Sequence, residues 1–177
     1  IYFYSEVNRE SILKLNKLIR DVSKEINTLS FNFNLNNTNI YLHINSYGGC
    51  IFSALSCIDT IISCPIKIIS IVEGCCASAA TLISIVCFKR YITPNSFMLI
   101  HQLKSSMWGK MDEIEDNFEN LKNLTKTLHN IYGKYTKLPK NGKNKLENLL
   151  KHDLWWNAEK VLSYGIVDEI RGNNFNI

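Results

Sequence analysis

Ser78, His101 and Asp153 each stand in a local sequence suited to acyl-transfer chemistry. Ser78 follows Ile68-Ile69-Ser70-Ile71-Val72-Glu73-Gly74-Cys75-Cys76-Ala77, a β-branched run ending in a glycine and small residues, and it precedes an apolar stretch opened by Ala79. His101 ends a short apolar strand pattern that starts after Pro94-Asn95-Ser96. Asp153 comes just before Leu154-Trp155-Trp156-Asn157-Ala158-Glu159, where an aromatic pair leads into a capped helix. A hydroxyl nucleophile, an imidazole base and a carboxylate that orients the base are the parts acyl transfer requires. Each residue alone has a plainer role: a helix cap for Ser78, a strand-end histidine bonded to backbone for His101, a surface or capping carboxylate for Asp153.

The same chemistry needs backbone N–H donors where negative charge develops. Gly48-Gly49, placed after a strand, lets an amide approach a substrate oxygen, although a glycine pair also suits a plain tight turn. Ala79, at the start of a helix, offers a second amide favoured by the helix dipole. Cys75 and Cys76 are near enough to Ser78 to rival it as nucleophile, but as small residues in a tight turn they read as inert packing. Of the other histidines, His129 falls opposite its helix's apolar stripe. His43 and His152 have no nucleophile beside them, with His152 adjoining Asp153.

These residues need elements to hold them. Ile1 to Tyr4 reads as a strand and Glu6 to Leu29 as an amphipathic helix, with Ile12, Leu15, Ile19, Val22 and Ile26 at helical spacing. Ser30 to Asn39 reads as a surface connection. Ile40 to Ile44 is a strand pattern, followed by a helix carrying Phe52, Leu55, Ile58, Ile61 and Ile62 that stops at Cys64-Pro65. Ile66 to Val72 suits a central parallel strand buried on both faces. An apolar helix over Ala79 to Cys87 and strands over Lys89 to Ile92 and Phe97 to Ile100 come next. A helix from Asp112 to Tyr135 bears a stripe of Ile114, Phe118, Leu121, Leu124 and Leu128. Lys134 to Lys145 is a polar break, Leu146 to Leu150 a short helix, and Asn157 caps a helix that Gly165 ends. Strands alternating with helices imply an α/β fold with a largely parallel sheet.

Composition narrows the class. The 177 residues fit one domain, and a 46% hydrophobic and 20% charged make-up is ordinary for a globular protein. The net charge of +4 is small and diffuse, unlike the concentrated basic stripe of a nucleic-acid binder. Six cysteines in apolar surroundings lack zinc spacing and read as free thiols, which points to a reducing compartment: the cytoplasm or an organelle such as a plastid, an apicoplast or the mitochondrial matrix. No apolar run of about 18 residues is present. Because the chain opens on Ile1 rather than Met, a segment removed or left out before it is expected.

Taken in order, Asn45-Ser46-Tyr47-Gly48-Gly49, Gly74-Cys75-Cys76-Ala77-Ser78, Pro94-Asn95-Ser96 with Met98 and Ile100-His101-Gln102, and His152-Asp153 with Ala158-Glu159 and Tyr164-Gly165-Ile166-Val167-Asp168 resemble the proteolytic subunits of ATP-dependent Clp proteases. The resemblance implies a Clp-protease/crotonase-like α/β fold of repeated ββα and βαβ units with a protruding handle helix. It implies one domain over 1–170, the handle at about 103–135, and a polar tail over 171–177. Ser78 would be the nucleophile, His101 the base and Asp153 its orienter, with Gly49 and Ala79 giving the oxyanion-hole amides. No cofactor or metal is expected in this chain, ATP being used by a partner. Implied partners are copies of itself in heptameric rings stacked in pairs, a hexameric AAA+ unfoldase, and unfolded polypeptide; neither nucleic acid nor membrane is expected.

The chain departs from the pattern at several points. Tyr47 stands where the family usually has proline, Ala79-Ala80 replaces Met-Gly, and His152 takes the place of an arginine that helps pair rings. The family's N-terminal axial-pore loops are not among these residues. Two other functions suit the residues less well. A non-catalytic ring subunit has no physical need of all three triad residues. An acyl-CoA enzyme of the crotonase fold wants an acidic base that only Glu73, before the turn, could supply.

Overall fold

In the computed structural model, residues 1–33, 38–139, 141 and 145–172 are described. Among the described residues, seven strands form one sheet: β1 (Tyr2–Phe3), β2 (Ile40–Ser46), β3 (Ile68–Ala77), β4 (Lys89–Ile92), β5 (Phe97–Leu99), β6 (Trp155–Asn157) and β7 (Glu169–Ile170). Its main path runs β1-β2-β3-β4-β7, every neighbour parallel. Among the described residues the helices are α1 (Arg9–Phe33), α2 (Ile51–Ser63), α3 (Ala79–Ile85), α4 (Met111–Tyr135), α5 (Leu146–Leu149) and α6 (Ala158–Ser163). The α/β class with a largely parallel sheet is the one the alternating pattern implies.

β3 organises the sheet. Its first half, Ile68 to Val72, is wholly buried, as a run apolar at nearly every position requires. Ile69 to Val72 pair with β4, whereas Cys75 to Ala77 pair with β5. Between them Gly74 turns the strand at φ +75°, its amide fixed by the Ser96 hydroxyl at 2.6 Å. The strand therefore runs five residues past the β-branched stretch that marks it in the sequence and reaches the residue before Ser78.

Several element ends differ from the expected ones for local reasons. α1 starts at Arg9, not Glu6, because Asn8 caps it: the Asn8 side chain accepts from the Ser11 amide at 2.9 Å and Ser11 Oγ accepts from the Asn8 amide at 3.1 Å. It continues to Phe33 into the stretch read as a connection. α4 starts at Met111, where Glu113 accepts from the Lys110 amide at 2.9 Å. Asn157 does cap α6, accepting from the Lys160 amide at 3.1 Å, and Gly165 follows it at φ +59°. The tail expected over 171–177 lies outside the described residues beyond Gly172, and the polar break before α5 and the connection after α1 are described only in part.

The principal core lies between the sheet and α1, α2 and α3, built from Ile12, Leu15, Ile19, Leu42, Ile44, Ala54, Cys57, Ile58, Leu82 and Ile83. The opposite sheet face carries a small separate cluster of Ile69, Ile71 and Tyr91. α4 joins the body only at its C-terminal end. Leu128 and Tyr132 are buried and Phe118 is exposed, so four turns of its apolar stripe rest on little of this chain. The segment before it, Leu103 to Gly109, has no regular strand pairing, and its Trp108 is 98% exposed.

Candidate active site

Ser78 occupies the junction of β3 and α3 at φ 53° and ψ −126°. Among the described residues it is the sole non-glycine with a positive φ. This is the region of the first central residue of a type II′ turn, which glycine dominates because a Cβ is crowded there. Backbone bonds hold the strain in place. The Ser78 amide donates to the Leu99 carbonyl at 2.8 Å, and the Ser78 carbonyl accepts from the Thr81 amide at 3.0 Å and the Thr81 hydroxyl at 2.6 Å. Its own hydroxyl makes no capping bond to α3, so the helix-cap role does not account for this serine.

Leu99, which anchors Ser78, also sets the other two residues. β5 lies parallel to β3 with Ala77 opposite Leu99, and antiparallel to β6 with Leu99 opposite Trp155. Along an antiparallel pair each step up one strand is a step down the other. Continued two residues further, this register brings His101 opposite Asp153. The Gln102 amide donates to the Leu150 carbonyl at 2.8 Å and ties the strand end to the segment before Asp153. β6 is absent from the sequence reading because Trp155-Trp156-Asn157 is too short to show a period. It is nonetheless the element that carries the carboxylate to the imidazole.

His101 is 14% exposed, and its Nδ1 lies 3.6 Å from Asp153 Oδ1. That exceeds hydrogen-bonding distance, and Nδ1 has no hydrogen-bond partner among the described residues. The backbone bond of a plain strand-end histidine is therefore missing at this nitrogen. The other Asp153 oxygen accepts from Lys104 Nζ at 2.5 Å. That bond, together with the Lys104 charge and more weakly His101, holds the Asp153 carboxyl below its ordinary 3.8 against slight desolvation.

One cleft of about 400 Å³ is lined by Gly49, Cys50, Ser78, Ala79, His101, Gln102 and Lys104 together with the apolar Ile51, Leu82, Leu103 and Leu128 and the ring of Tyr132. Asp153 reaches it by way of His101. Gly48 (φ +91°) and Gly49 (φ +141°) are required by backbone shape. A Cβ on Gly48 would lie 2.5 Å from the Ala77 carbonyl and 2.8 Å from Ser78 Cβ, and one on Gly49 would collide with the Val7 carbonyl. A parallel bridge with Val7 engages the Gly48 carbonyl (2.7 Å) and the Cys50 amide (2.6 Å), not the Gly49 amide. Ala79 opens α3, so its amide has no intrahelical acceptor.

The rival thiols are poorly placed. Cys76 is buried, and burial, with Cys75 and Cys87 nearby, pushes its thiol well above the ordinary 9.0. Burial also raises Cys75, whose Sγ sits 3.3 Å from Asn45 Oδ1. The sequence reading passed over Cys50, an exposed thiol in the cleft whose pKa is lowered by the Ser53 hydroxyl and by first-turn amides of α2. It also passed over Lys104, which no local pattern marks. His152 is exposed, and His43 pairs with Glu73 at 2.9 Å on the far face of the sheet. Among the described residues, no group of three or more His, Cys, Asp or Glu is arranged to hold a metal ion, and no helix is long and apolar enough to cross a membrane.

A parallel-sheet α/β chain with a strained serine above an imidazole-lined cleft has its counterpart in one family model, that of Clp protease, which matches residues 1–174. The chain belongs to the Clp protease family. It is 31% identical over 179 aligned positions to the ATP-dependent Clp protease proteolytic subunit of Lactococcus lactis subsp. cremoris (strain SK11), covering 97% of this chain and 88% of that one. It is 30% identical, over 97% of this chain and 89% of theirs, to the subunits of the same name from Streptococcus pyogenes serotype M5 (strain Manfredo) and Streptococcus equi subsp. zooepidemicus (strain H70).

Proposed function

We propose that this chain is a serine endopeptidase subunit in which Ser78 attacks the peptide carbonyl, His101 takes and returns the proton, and Asp153 orients the imidazole. The observation that carries the reading is the backbone of Ser78. A non-glycine residue is held in a glycine conformation, at the rim of a cleft that also holds His101, with its hydroxyl uncommitted to the helix it precedes. Strain of this kind persists where surrounding bonds enforce it, and it clusters at reactive groups.

Attack by Ser78 Oγ transfers its proton to the imidazole and gives a tetrahedral oxyanion, which the Gly49 and Ala79 amides would receive. Collapse expels the amine, protonated by the imidazole, and leaves an acyl-enzyme. Water activated by the same imidazole then releases the acid and restores the hydroxyl. The reading needs no cofactor or metal in this chain. The apolar wall of Ile51, Leu82 and Leu128 suits a non-polar side chain beside the scissile bond.

The relatives' name, proteolytic subunit of an ATP-dependent protease, supports the further reading of a subunit that joins copies of itself into stacked heptameric rings and receives unfolded chain from an AAA+ unfoldase. The exposed first turns of α4 and Trp108, at about 103–135, would be the handle joining the rings. Free cysteines agree with a reducing compartment, the cytoplasm or an organelle.

A fluorophosphonate probe followed by mass spectrometry of the labelled peptide tests the nucleophile. Label on Ser78, lost in Ser78→Ala together with peptide hydrolysis, is the expected result; label or residual turnover that depends on Cys76 would reassign the role. The 3.6 Å gap between His101 and Asp153 favours one alternative, a ring subunit without catalysis. Absence of label on the assembled protein would select it.

A further inference from the structure

Lys104 grips one oxygen of Asp153 at 2.5 Å while the other oxygen stands 3.6 Å from a His101 nitrogen that has no hydrogen-bond partner among the described residues. The register of β5 and β6 aims the two residues at each other, so shortening the gap to an ordinary hydrogen bond takes a shift of about 0.7 Å, within reach of side-chain rotation alone. The group that competes for the carboxylate is the Lys104 ammonium, whose side chain also borders the cleft holding Ser78 and His101.

From this geometry we propose that Lys104 is a positioning residue that competes with His101 for Asp153, so that the imidazole is oriented only when the ammonium lets the carboxylate go. The proposal rests on the serine-peptidase reading given above. Two further effects follow from the same contact. A cation beside Asp153 offsets the negative charge that would stabilise a protonated imidazole, and it holds the carboxyl below its ordinary range. The other titratable groups facing this cleft are Cys50 from the turn before α2 and Tyr132 from α4, and neither bonds to Asp153.

The lysine is 68% and the aspartate 50% exposed, and exposed ion pairs of this kind are weak. The competition is therefore shallow, and its release should raise kcat by about two- to five-fold rather than by orders of magnitude. A shallow latch is one that substrate can open: a peptide carboxylate in the cleft offers the ammonium a second anion.

The test compares wild type with Lys104→Met, Lys104→Gln and Lys104→Arg, at matched assembly state. Kinetics with a neutral peptide are read beside the NMR signal of the His101 Nδ1 proton in histidine-labelled protein. Both neutral variants should raise kcat with KM unchanged and bring out a low-field Nδ1 proton hydrogen-bonded to carboxylate. Lys104→Arg should behave as wild type, and Asp153→Asn should abolish the proton that the neutral variants bring out. A fall in kcat in the neutral variants would mean that Lys104 anchors Asp153 rather than competing for it. A change in KM alone would make it a substrate contact. Either result overturns the proposal, as does an unchanged proton spectrum. Failure of the peptidase reading looks different: no variant turns over and Ser78 takes no fluorophosphonate label, yet the Nδ1 proton still responds to Lys104.

Discussion

Ser78→Gly should melt at a higher temperature than the native chain, and higher than Ser78→Ala, although both variants lose the hydroxyl proposed as nucleophile. At φ 53° and ψ −126° a Cβ is crowded by the backbone, a conformation that costs about 1–3 kcal/mol for a residue other than glycine. Glycine removes that cost and adds back roughly 0.5–1 kcal/mol through the greater freedom of its unfolded chain. The Ser78 hydroxyl makes no capping bond, so its loss contributes little. The balance spans about 0–2.5 kcal/mol in favour of glycine, and its midpoint of about 1.2 kcal/mol is on the order of 2–5 °C for a chain of this size. Alanine keeps the Cβ and with it the strain, and should stay close to the native chain. The amide bond to Leu99 and the carbonyl bonds from Thr81 survive both changes, so the turn keeps its shape. Calorimetry at matched protein concentration, with urea midpoints as a second measure, reads the difference. If Ser78→Gly melts no higher than Ser78→Ala, the turn stores no strain, and the principal structural argument for a reactive serine goes with it.

Two further predictions concern charge and thiols. Partial burial pushes Asp168 up, but the hydrogen bonds and charge of Arg90, including Nε–Oδ2 at 3.0 Å, outweigh it and leave the carboxyl below 3.8. Its contribution to stability is therefore complete above the ordinary carboxylate range and lost as pH falls through the depressed value. Arg90→Ala should lower the urea midpoint at neutral pH and lessen its fall on acidification, whereas parallel pH curves for the two proteins would show the pair to be irrelevant. Iodoacetamide at neutral pH should modify Cys50 first and leave Cys57, Cys76 and Cys87 untouched in the folded chain, since Cys50 is exposed with a lowered pKa and the other three are buried. Peptide mapping against time decides this, and early label on Cys76 would contradict the burial described.

Much of the framework was legible because its signals are local. The apolar stripe of α1, the β-branched first half of β3 and the Asn157 cap announce themselves within a few residues. What escaped depends on distant partners. Trp155 to Asn157 form a strand only because Phe97 to Leu99 lie beside them, and Glu169-Ile170 only because β4 does. Of the site, Ser78, His101, Gly49 and Ala79 could be named from their motifs, and they do line one cleft. The contact of Lys104 with Asp153 could not, since it joins residues 49 positions apart with no pattern at either end. The strain at Ser78 was equally hidden: a serine before an apolar helix looks the same in sequence whether it caps that helix or not.

β3 divides its pairing between β4 and β5, and that division separates tolerance from risk in this protein's evolution. The buried first half belongs to the core, while Ser78 ends the second half of the strand and His101 and Asp153 hang from the side branch of β5 and β6 that pairs with it, at a rim where Asp153 is half exposed. A change to any one of the three removes no core side chain. The proposed chemistry could thus be lost in a single mutational step while the fold, and any assembly built on its outer surfaces, persists. On the serine-peptidase reading, a gene duplicate of such a chain has a short path to a silent subunit, and selection on turnover rather than on folding would be what keeps the hydroxyl, the imidazole and the carboxylate together.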